Sequence, residues 1–329
     1  MGQIVQPETI RFVDEEMYKK WMKEEIRKGD ILITSEAPFG QVLYWDSEEK
    51  IVLSQRLFGL RIKKEYYSKY IYYYMRTSFF QGELDAHSTG TTVVGLRQPE
   101  LLNCKLMCPD YAIQKKIAII LQTIDDIIFN NSKINDNLQQ QAQAIYVSMF
   151  ITNADPSWQT GHLSDLVIVK YGKDHKKLAD GNFPVYGSGG IMRYVERPLY
   201  DQESVLIPRK GTLNNVVYVN QPFWSVDTMF YTEMRLPNVA KFVYHFVKSK
   251  DLASMNAGSA VPSMTTDILN AMEVVTPSAA ALEKFEGIVS PMYKEIQENN
   301  KQSTTLGKLR DILLPKLMSG DIDVSGIYL

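Results

Sequence analysis

Four histidines and two cysteines are the side chains of this chain best suited to acid–base, nucleophilic or metal chemistry. Their placement builds no such site. His87, His162, His175 and His245 are scattered, whereas a general base needs a partner within hydrogen-bond reach. Asp85 stands beside His87 in what reads as a loop before Ser88-Thr-Gly90, and nothing nearby supplies a nucleophile or metal. His245 falls in an aromatic helical stretch and reads as packing. Cys104 and Cys108 flank Leu106 on what reads as a strand leading to Pro109; without a second Cys or His pair at ligand spacing they form no zinc site. Asn153-Ala-Asp-Pro-Ser157 comes nearest to the Asn/Asp-Pro-Pro-aromatic motif with which amino-methyltransferases hold a flipped base. It lacks the second Pro and the aromatic, and reads as a linker. There is no Gly-x-x-x-x-Gly-Lys-Ser/Thr phosphate loop and hence no sign of a motor. No catalytic residue, metal or cofactor is expected on this chain.

Binding chemistry is better represented. Phosphate contact needs Lys and Arg on loops with backbone N–H and small hydroxyls beside them, and base reading adds Asn and Gln. Lys170, Lys173, Lys176 and Lys177 lie in one run with a single Asp between them. Arg209, Lys210, Thr212, Asn214 and Asn215 surround Gly211 between two apolar runs. Either segment also reads as a solvated surface with a turn. Gly187-Ser-Gly-Gly190, with Ser188, is a tight turn or a backbone N–H cradle for a phosphate; it lacks the Gly-x-Gly-x-x-Gly spacing and a convincing strand before it. The loops Ser88-Thr-Gly-Thr-Thr92, with Thr89, and Asn256-Ala-Gly-Ser-Ala260, with Ser259, suit a close backbone approach to DNA or simple helix termination. Thr34-Ser-Glu36 and Gln55-Arg56 are weaker candidates. The tyrosines at Tyr66, Tyr67, Tyr70, Tyr72, Tyr73 and Tyr74 suggest base stacking or, from their helical spacing, core.

These segments recur in a fixed order. Gly90 to Pro109 aligns without gaps to Gly258 to Pro277, 168 residues later. Ser68 to Thr77 matches Ala240 to Ser249, Leu53 to Phe58 matches Trp224 to Phe230 loosely, and Ile31 to Ile33 matches Val205 to Ile207. Four blocks in register indicate duplication. Each copy has short strand-like runs, such as Ile31 to Thr34, Gln41 to Tyr44, Val205 to Ile207, Val216 to Val219 and Glu273 to Thr276, punctuated by Gly and Pro. Each then enters a long helical pattern of near 40 residues. The first carries Ile113, Ile117, Ile120, Ile124, Ile127, Ile134, Leu138 and Ile145 in steps typical of a coiled-coil seam. The second carries Leu282, Phe285, Val289, Met292, Ile296, Leu306 and Leu313, and stops at Gly320. Asn131 and Asn299 occupy the same seam position in the two copies. A polar residue there fixes register or partner number at some cost in stability. Two ordinary core helices are the competing reading.

The 329 residues suffice for two domains, with 45% hydrophobic and 22% charged residues. A net charge of −2 means that a nucleic-acid partner must be met by local basic patches. No apolar run approaches the ~20 residues that span a bilayer. Few cysteines and no secretory leader point to the cytoplasm.

The ordered set of segments resembles the specificity (S) subunits of type I restriction-modification systems. The resemblance is strongest at Lys28 to Gly40, Ile113 to Leu121 running into Ile124-Asp-Asp126, Phe183 to Ile191, Val205 to Gly211 and Phe223 to Thr228. It implies an α+β chain: two mixed α/β target recognition domains separated by two long helices packed as an antiparallel coiled coil. The boundaries are 1–109 for the first recognition domain, 110–150 for the central spacer helix, 151–277 for the second recognition domain and 278–320 for the C-terminal spacer helix. It implies that each domain reads one half of a split target in double-stranded DNA and that helix length sets the gap. Two methyltransferase (M) subunits carrying S-adenosylmethionine, and endonuclease (R) subunits, are the implied partners. Residues Ile117, Ile124, Asn131, Leu138, Phe285, Met292, Asn299 and Leu306 would pack the helices. The chain departs from the pattern in one respect. Val205 lies 47 residues after Trp158 but only 30 residues precede Ile31, so the first recognition domain reads as shortened. Two other function classes compete: an interaction scaffold that does not read DNA, and a nuclease or methyltransferase with an unfamiliar site.

Overall fold

The computed structural model describes residues 10–90, 94–255 and 263–327. Thr91, Thr92 and the loop Asn256 to Ala260 with Ser259 lie outside the described residues. In chain order the elements are α1 (Glu15–Trp21), β1 (Ile31–Thr34), β2 (Val42–Tyr44), β3 (Leu57–Leu60), α2 (Ser68–Met75), α3 (Ser78–His87), α4 (Gln98–Asn103) and α5 (Tyr111–Val147). Then follow β4 (Gln159–His162), α6 (Leu163–Leu166), β5 (Val167–Tyr171), β6 (Asp180–Gly187), β7 (Gly190–Val195), β8 (Ser204–Pro208), β9 (Val217–Val219), β10 (Trp224–Ser225) and β11 (Met229–Met234). The chain closes with α7 (Ala240–Lys248), α8 (Thr266–Asn270), β12 (Glu273–Thr276) and α9 (Ala279–Ser319). The two long helices have 37 and 41 residues, as their patterns predict, and α9 stops at Gly320, whose φ of +83° suits glycine alone. Pro291 and Pro315 both lie inside α9; each removes a backbone donor that the helix tolerates there.

The chain divides into two compact units, Met1–Ser132 with Asn299–Leu329, and Lys133–Glu298. Each therefore owns one half of each long helix. In the first unit an antiparallel sheet of order β2-β1-β3 buries Ile31 and Ile33 against α2, where Tyr70, Tyr72, Tyr73 and Tyr74 are core residues rather than a stacking platform. Ile117, Ala118 and Leu121 of α5 and Leu314, Leu317 and Met318 of α9 complete this core. Within this unit α5 and α9 run antiparallel: contacts pair Lys116 with Ser325, Asp125 with Arg310, and Asn131 with Gln302. In the second unit a four-stranded sheet of order β9-β8-β11-β5 packs on α7 and on the halves of α5 and α9, through Tyr146, Phe150, Phe242 and Phe285. Phe150 meets Phe242 at 4.8 Å and Phe285 at 5.2 Å, edge to face. A smaller sheet β10-β6-β7 and the pair β12-β4 complete the unit.

The duplication extends to register. Ile33 pairs with Phe58 in the first unit as Ile207 pairs with Phe230 in the second. Three corrections follow from packing. Ile117 and Ile124 are buried, as the seam predicts, but Ile127 and Ile134 are exposed; the buried face of α5 also takes in Gln114, Asp125, Asn131, Asn135 and Ala142, whose polar or small side chains a hydropathy pattern overlooks. The segment of Cys104 to Cys108 is not a strand, although its equivalent β12 is. β12 owes its form to β4, and among the described residues the first unit offers no partner in that place. His87 is the last residue of α3, not part of a loop, and bonds Glu100 at 3.0 Å.

The polar positions between helices are specific. Asn131 donates to Gln302 Oε1 at 2.7 Å, Ser303 Oγ at 3.1 Å and the Asn299 carbonyl at 3.4 Å, so the two seam asparagines meet directly. Phe285 is fully buried, while Leu138, Met292, Asn299 and Leu306 are half-buried. Where α2 of the first unit crosses the helix pair, the Tyr73 hydroxyl donates to Asp125, which also receives Arg310. At the equivalent crossing in the second unit His245 bonds Tyr293 at 2.9 Å and Gln143 at 2.7 Å. The position filled by the charged Asp125 and Arg310 in one unit is filled by the neutral His245 and Tyr293 in the other, one turn from the Lys241–Glu286 ion pair at 2.6 Å.

Candidate nucleic-acid interface

The loop between β8 and β9 in the second unit starts from a fully buried strand, so its first residues are held rigidly. Arg209 donates its backbone N–H to Thr228 and accepts from Met264, while Lys210 bridges Ser263. The Arg209 guanidinium lies 5.3 Å from the ring centroid of Tyr171 and donates to the Asp227 carbonyl at 3.2 Å. Gly211, with φ +86°, turns the chain so closely that an added Cβ would stand 2.9 Å from Ser188 Oγ. Asn215 donates to the Ser188 carbonyl at 2.7 Å. The Gly187 to Gly190 segment does have a strand before it, which the sequence pattern does not reveal: β6 leads directly into it, and it is the turn of the β6–β7 hairpin.

A third segment joins from below. Lys173 donates its backbone N–H to Ser225 at 2.8 Å and accepts from the Trp224 indole at 2.8 Å. An added Cβ on Gly172 would fall 2.0 Å from the Val226 carbonyl oxygen, so the two strands touch backbone to backbone there. Ser188, Arg209, Lys210, Asn215 and Lys173 are thus linked by a continuous set of short contacts. Lys176 and Lys177 are exposed on the turn that follows. Thr212 is exposed on the same loop as Arg209, whereas the Asn214 amide is occupied with Asp251 and Ala253. Lys170 is not on a loop; it lies within β5 and pairs with Glu233 at 3.7 Å. The sequence offered no signal for Tyr171 or Asp227, whose parts come from packing across strands.

The first unit builds the same framework with other side chains. Ser35 donates to the Arg56 carbonyl and accepts from Leu96, as Arg209 does toward Thr228 and Met264. Where the second unit has Arg209 and Lys210, the first has Ser35 and Glu36, and Glu36 pairs with Arg56 at 3.0 Å. Thr89 is exposed and exchanges both backbone hydrogen bonds with Gly95, next to the Leu96 that bonds Ser35. The two equivalent surfaces therefore present different donors and acceptors.

Among the described residues the histidines and cysteines are not drawn into a comparable grouping. Burial pushes the Cys104 and Cys108 thiols up, away from the reactive thiolate. Burial lowers His245 to about 4, which holds it as a neutral packing residue between Tyr293 and Gln143. Among the described residues no group of three or more His, Cys, Asp or Glu is arranged to hold a metal ion, and no helix is long and apolar enough to cross a membrane.

Residues 12–140 and 156–306 match the family described as the type I restriction modification DNA specificity domain. The chain is 24% identical to the type I restriction enzyme MjaIX specificity subunit of Methanocaldococcus jannaschii, over 95% of this chain and 82% of the relative. It is 21% identical to the HindI specificity subunit of Haemophilus influenzae, over 91% of this chain and 88% of that one. Its fold is similar to the crystal structure of a type I restriction-modification S subunit from M. genitalium, with a TM-score of 0.60, 21% identity, and coverage of 89% of this chain and 83% of the other.

Proposed function

The chain belongs to the type I restriction modification DNA specificity family, and from that premise we infer that it selects a two-part target in double-stranded DNA and brings methyltransferase and endonuclease subunits to it. The observation that carries this reading is the pair of equivalent loops with unlike chemistry: Arg209 and Lys210 on one framework, Ser35 and Glu36 on the other. Two copies of one scaffold with different side chains at the same place suit two half-sites of different sequence. Arg209 and Lys210 supply phosphate or guanine contacts. Ser35, with its neighbour pair Glu36–Arg56, offers hydroxyl and carboxylate chemistry, and a carboxylate accepts from cytosine. Lys173, Lys176, Lys177, Ser188, Thr212 and Asn215 extend the second surface. Asn214 and Lys170 support it through Asp251 and Glu233.

In this reading the chain has no chemistry of its own. S-adenosylmethionine and the methyl transfer reside on two M subunits, R subunits supply cleavage, and the complex works in the cytoplasm. The halves of α5 and α9 form one antiparallel coiled coil whose register is set by Asn131, and the spacer helices set the distance between half-sites. The domain boundaries at 109, 150, 277 and 320 follow the same scheme. Co-expression with a tagged methyltransferase subunit of a type I system from the same source tests it. The subunit co-purifies with this chain, and only the complex retards a duplex selected from a random pool. A chain that retains no methyltransferase subunit, or a complex that retards all duplexes equally, overturns the reading. A pure scaffold has no observation in its favour.

A further inference from the structure

The β6–β7 hairpin turns at Ser188 and Gly189 and then exposes two large apolar side chains in succession, Ile191 at 49% and Met192 at 61%. Neighbours in a regular strand point to opposite faces, so two together need a cause. The register supplies it: Tyr186 pairs with Ile191 and Val185 with Arg193, which leaves Met192 as the extra residue of a β-bulge. Bulges of this kind re-aim side chains. The facing strand is cut to fit. An added Cβ on Gly187 would lie 2.6 Å from the Met192 sulfur, so a glycine there leaves the thioether its place.

The tip is anchored. Asn215 holds the Ser188 carbonyl at 2.7 Å, and the turn at Gly211 passes against the Ser188 hydroxyl. An exposed apolar pair is thereby fixed beside the loop of Arg209 and Lys210, and Val226, whose Cγ2 also lies against Gly187, leads on to the strand end that holds Lys173. Apolar tips with cations around them match one surface well: the base step of a nucleic acid, where flat apolar faces lie between rows of phosphates. An apolar protein groove offers no anions for these cations, and between the remaining anionic surfaces the DNA-reading family of this chain favours the base step.

Resting on the reading of this chain as a DNA specificity subunit, we propose that Ile191 and Met192 form a wedge that enters one base step of the half-site read by the second domain and partly unstacks it. Arg209, Lys210 and Lys173 hold the flanking phosphates while the wedge enters. Opening a step is cheapest at pyrimidine–purine steps, so the wedge confers sequence preference at a position that no hydrogen bond reads.

The test uses the full chain, with its methyltransferase partner, and the duplex that this complex selects from a random pool, with 2-aminopurine placed at successive positions. Wild type raises the probe's emission several-fold at one step in the second half-site. The Ile191→Ala/Met192→Ala chain leaves the emission at its stacked level, binds on the order of tenfold more weakly, and keeps the same salt dependence and melting temperature. Selection of a duplex with no emission change at any position overturns the wedge while leaving the DNA-reading function standing. Loss of affinity in the variant without an emission change in wild type also overturns it, in favour of a surface contact. Failure to select any duplex overturns the underlying reading instead.

Discussion

Asp125 sits where α2, α5 and α9 of the first unit meet, and its removal is the most informative single perturbation of the framework. Its side chain is only 9% exposed and receives Arg310 at 2.8 Å, the Tyr73 hydroxyl at 2.9 Å and, more distantly, Arg76 at 3.7 Å. Asp125→Ala leaves Arg76 with the Tyr72 hydroxyl at 3.3 Å, and Arg310 with the exposed Asp311. The Tyr73 hydroxyl then has no acceptor. Breaking a buried ion pair by deleting one partner costs about 3–5 kcal/mol. Both arginine side chains remain 15% exposed and can turn partly toward water, so the lower end, about 3 kcal/mol, applies. Asp125→Asn keeps one acceptor and costs about half as much. At ~2–4 °C per kcal/mol for a domain of this size, the alanine variant melts ~6–12 °C lower. Thermal melts followed by circular dichroism, with hydrogen exchange to localise the loss, read this out. Faster exchange is expected in α2, the first half of α5 and the last half of α9, not in the second unit. An alanine variant within about 0.5 kcal/mol of wild type would refute the argument that this carboxylate neutralises the crossing.

The buried, neutral His245 of the second unit predicts acid sensitivity. His245 is lowered by burial from 6.5 to about 4, so below 6.5 the unfolded chain binds a proton that the folded chain refuses. Stability is intact above pH 6.5 and falls as pH drops from 6.5 to about 4, by roughly 3 kcal/mol in all; urea melts at several pH values should show the slope, and His245→Gln should flatten it. Gly172→Ala places a methyl 2.0 Å from a backbone oxygen, and the strand contact beside Lys173 must open; a loss of about 2 kcal/mol or more and weaker DNA binding are expected in melts and gel shifts. Arg209→Ala/Lys210→Ala should make the log–log salt slope of DNA binding shallower by ~1–2, about 0.9 for each phosphate that is no longer neutralised, and a slope equal to wild type would remove that loop from the interface.

How much was readable in advance follows the physics of each feature. The two long helices appear where the sequence puts them because burial on one face leaves a regular pattern, and β1 because a short apolar run buried on both faces stands out between turn signals. The duplicated order was legible for the same reason, and its register in the sheets follows the alignment. The buried face of α5 was legible in part: Ile117, Ile124 and Asn131 are buried as expected, whereas Gln114 and Asp125 are buried against partners on or beyond other elements, which no local pattern records. The strand expected around Cys104 failed since strand formation depends on a neighbour, and β4 has no equivalent there among the described residues. At the candidate interface the Arg209 loop and Ser188 were found separately from their residue types. Their linkage through Asn215 and Gly211, and the bulge that exposes Ile191 and Met192, are tertiary facts that spacing along the chain does not encode.

Methylome sequencing of cells carrying the methyltransferase subunit, with and without this chain, measures the central claim most directly. The account predicts methylation at one split motif that appears only when the chain is present, and whose second half becomes degenerate in the Arg209→Ala/Lys210→Ala chain. Methylation at an unchanged set of sites with and without the chain would contradict it.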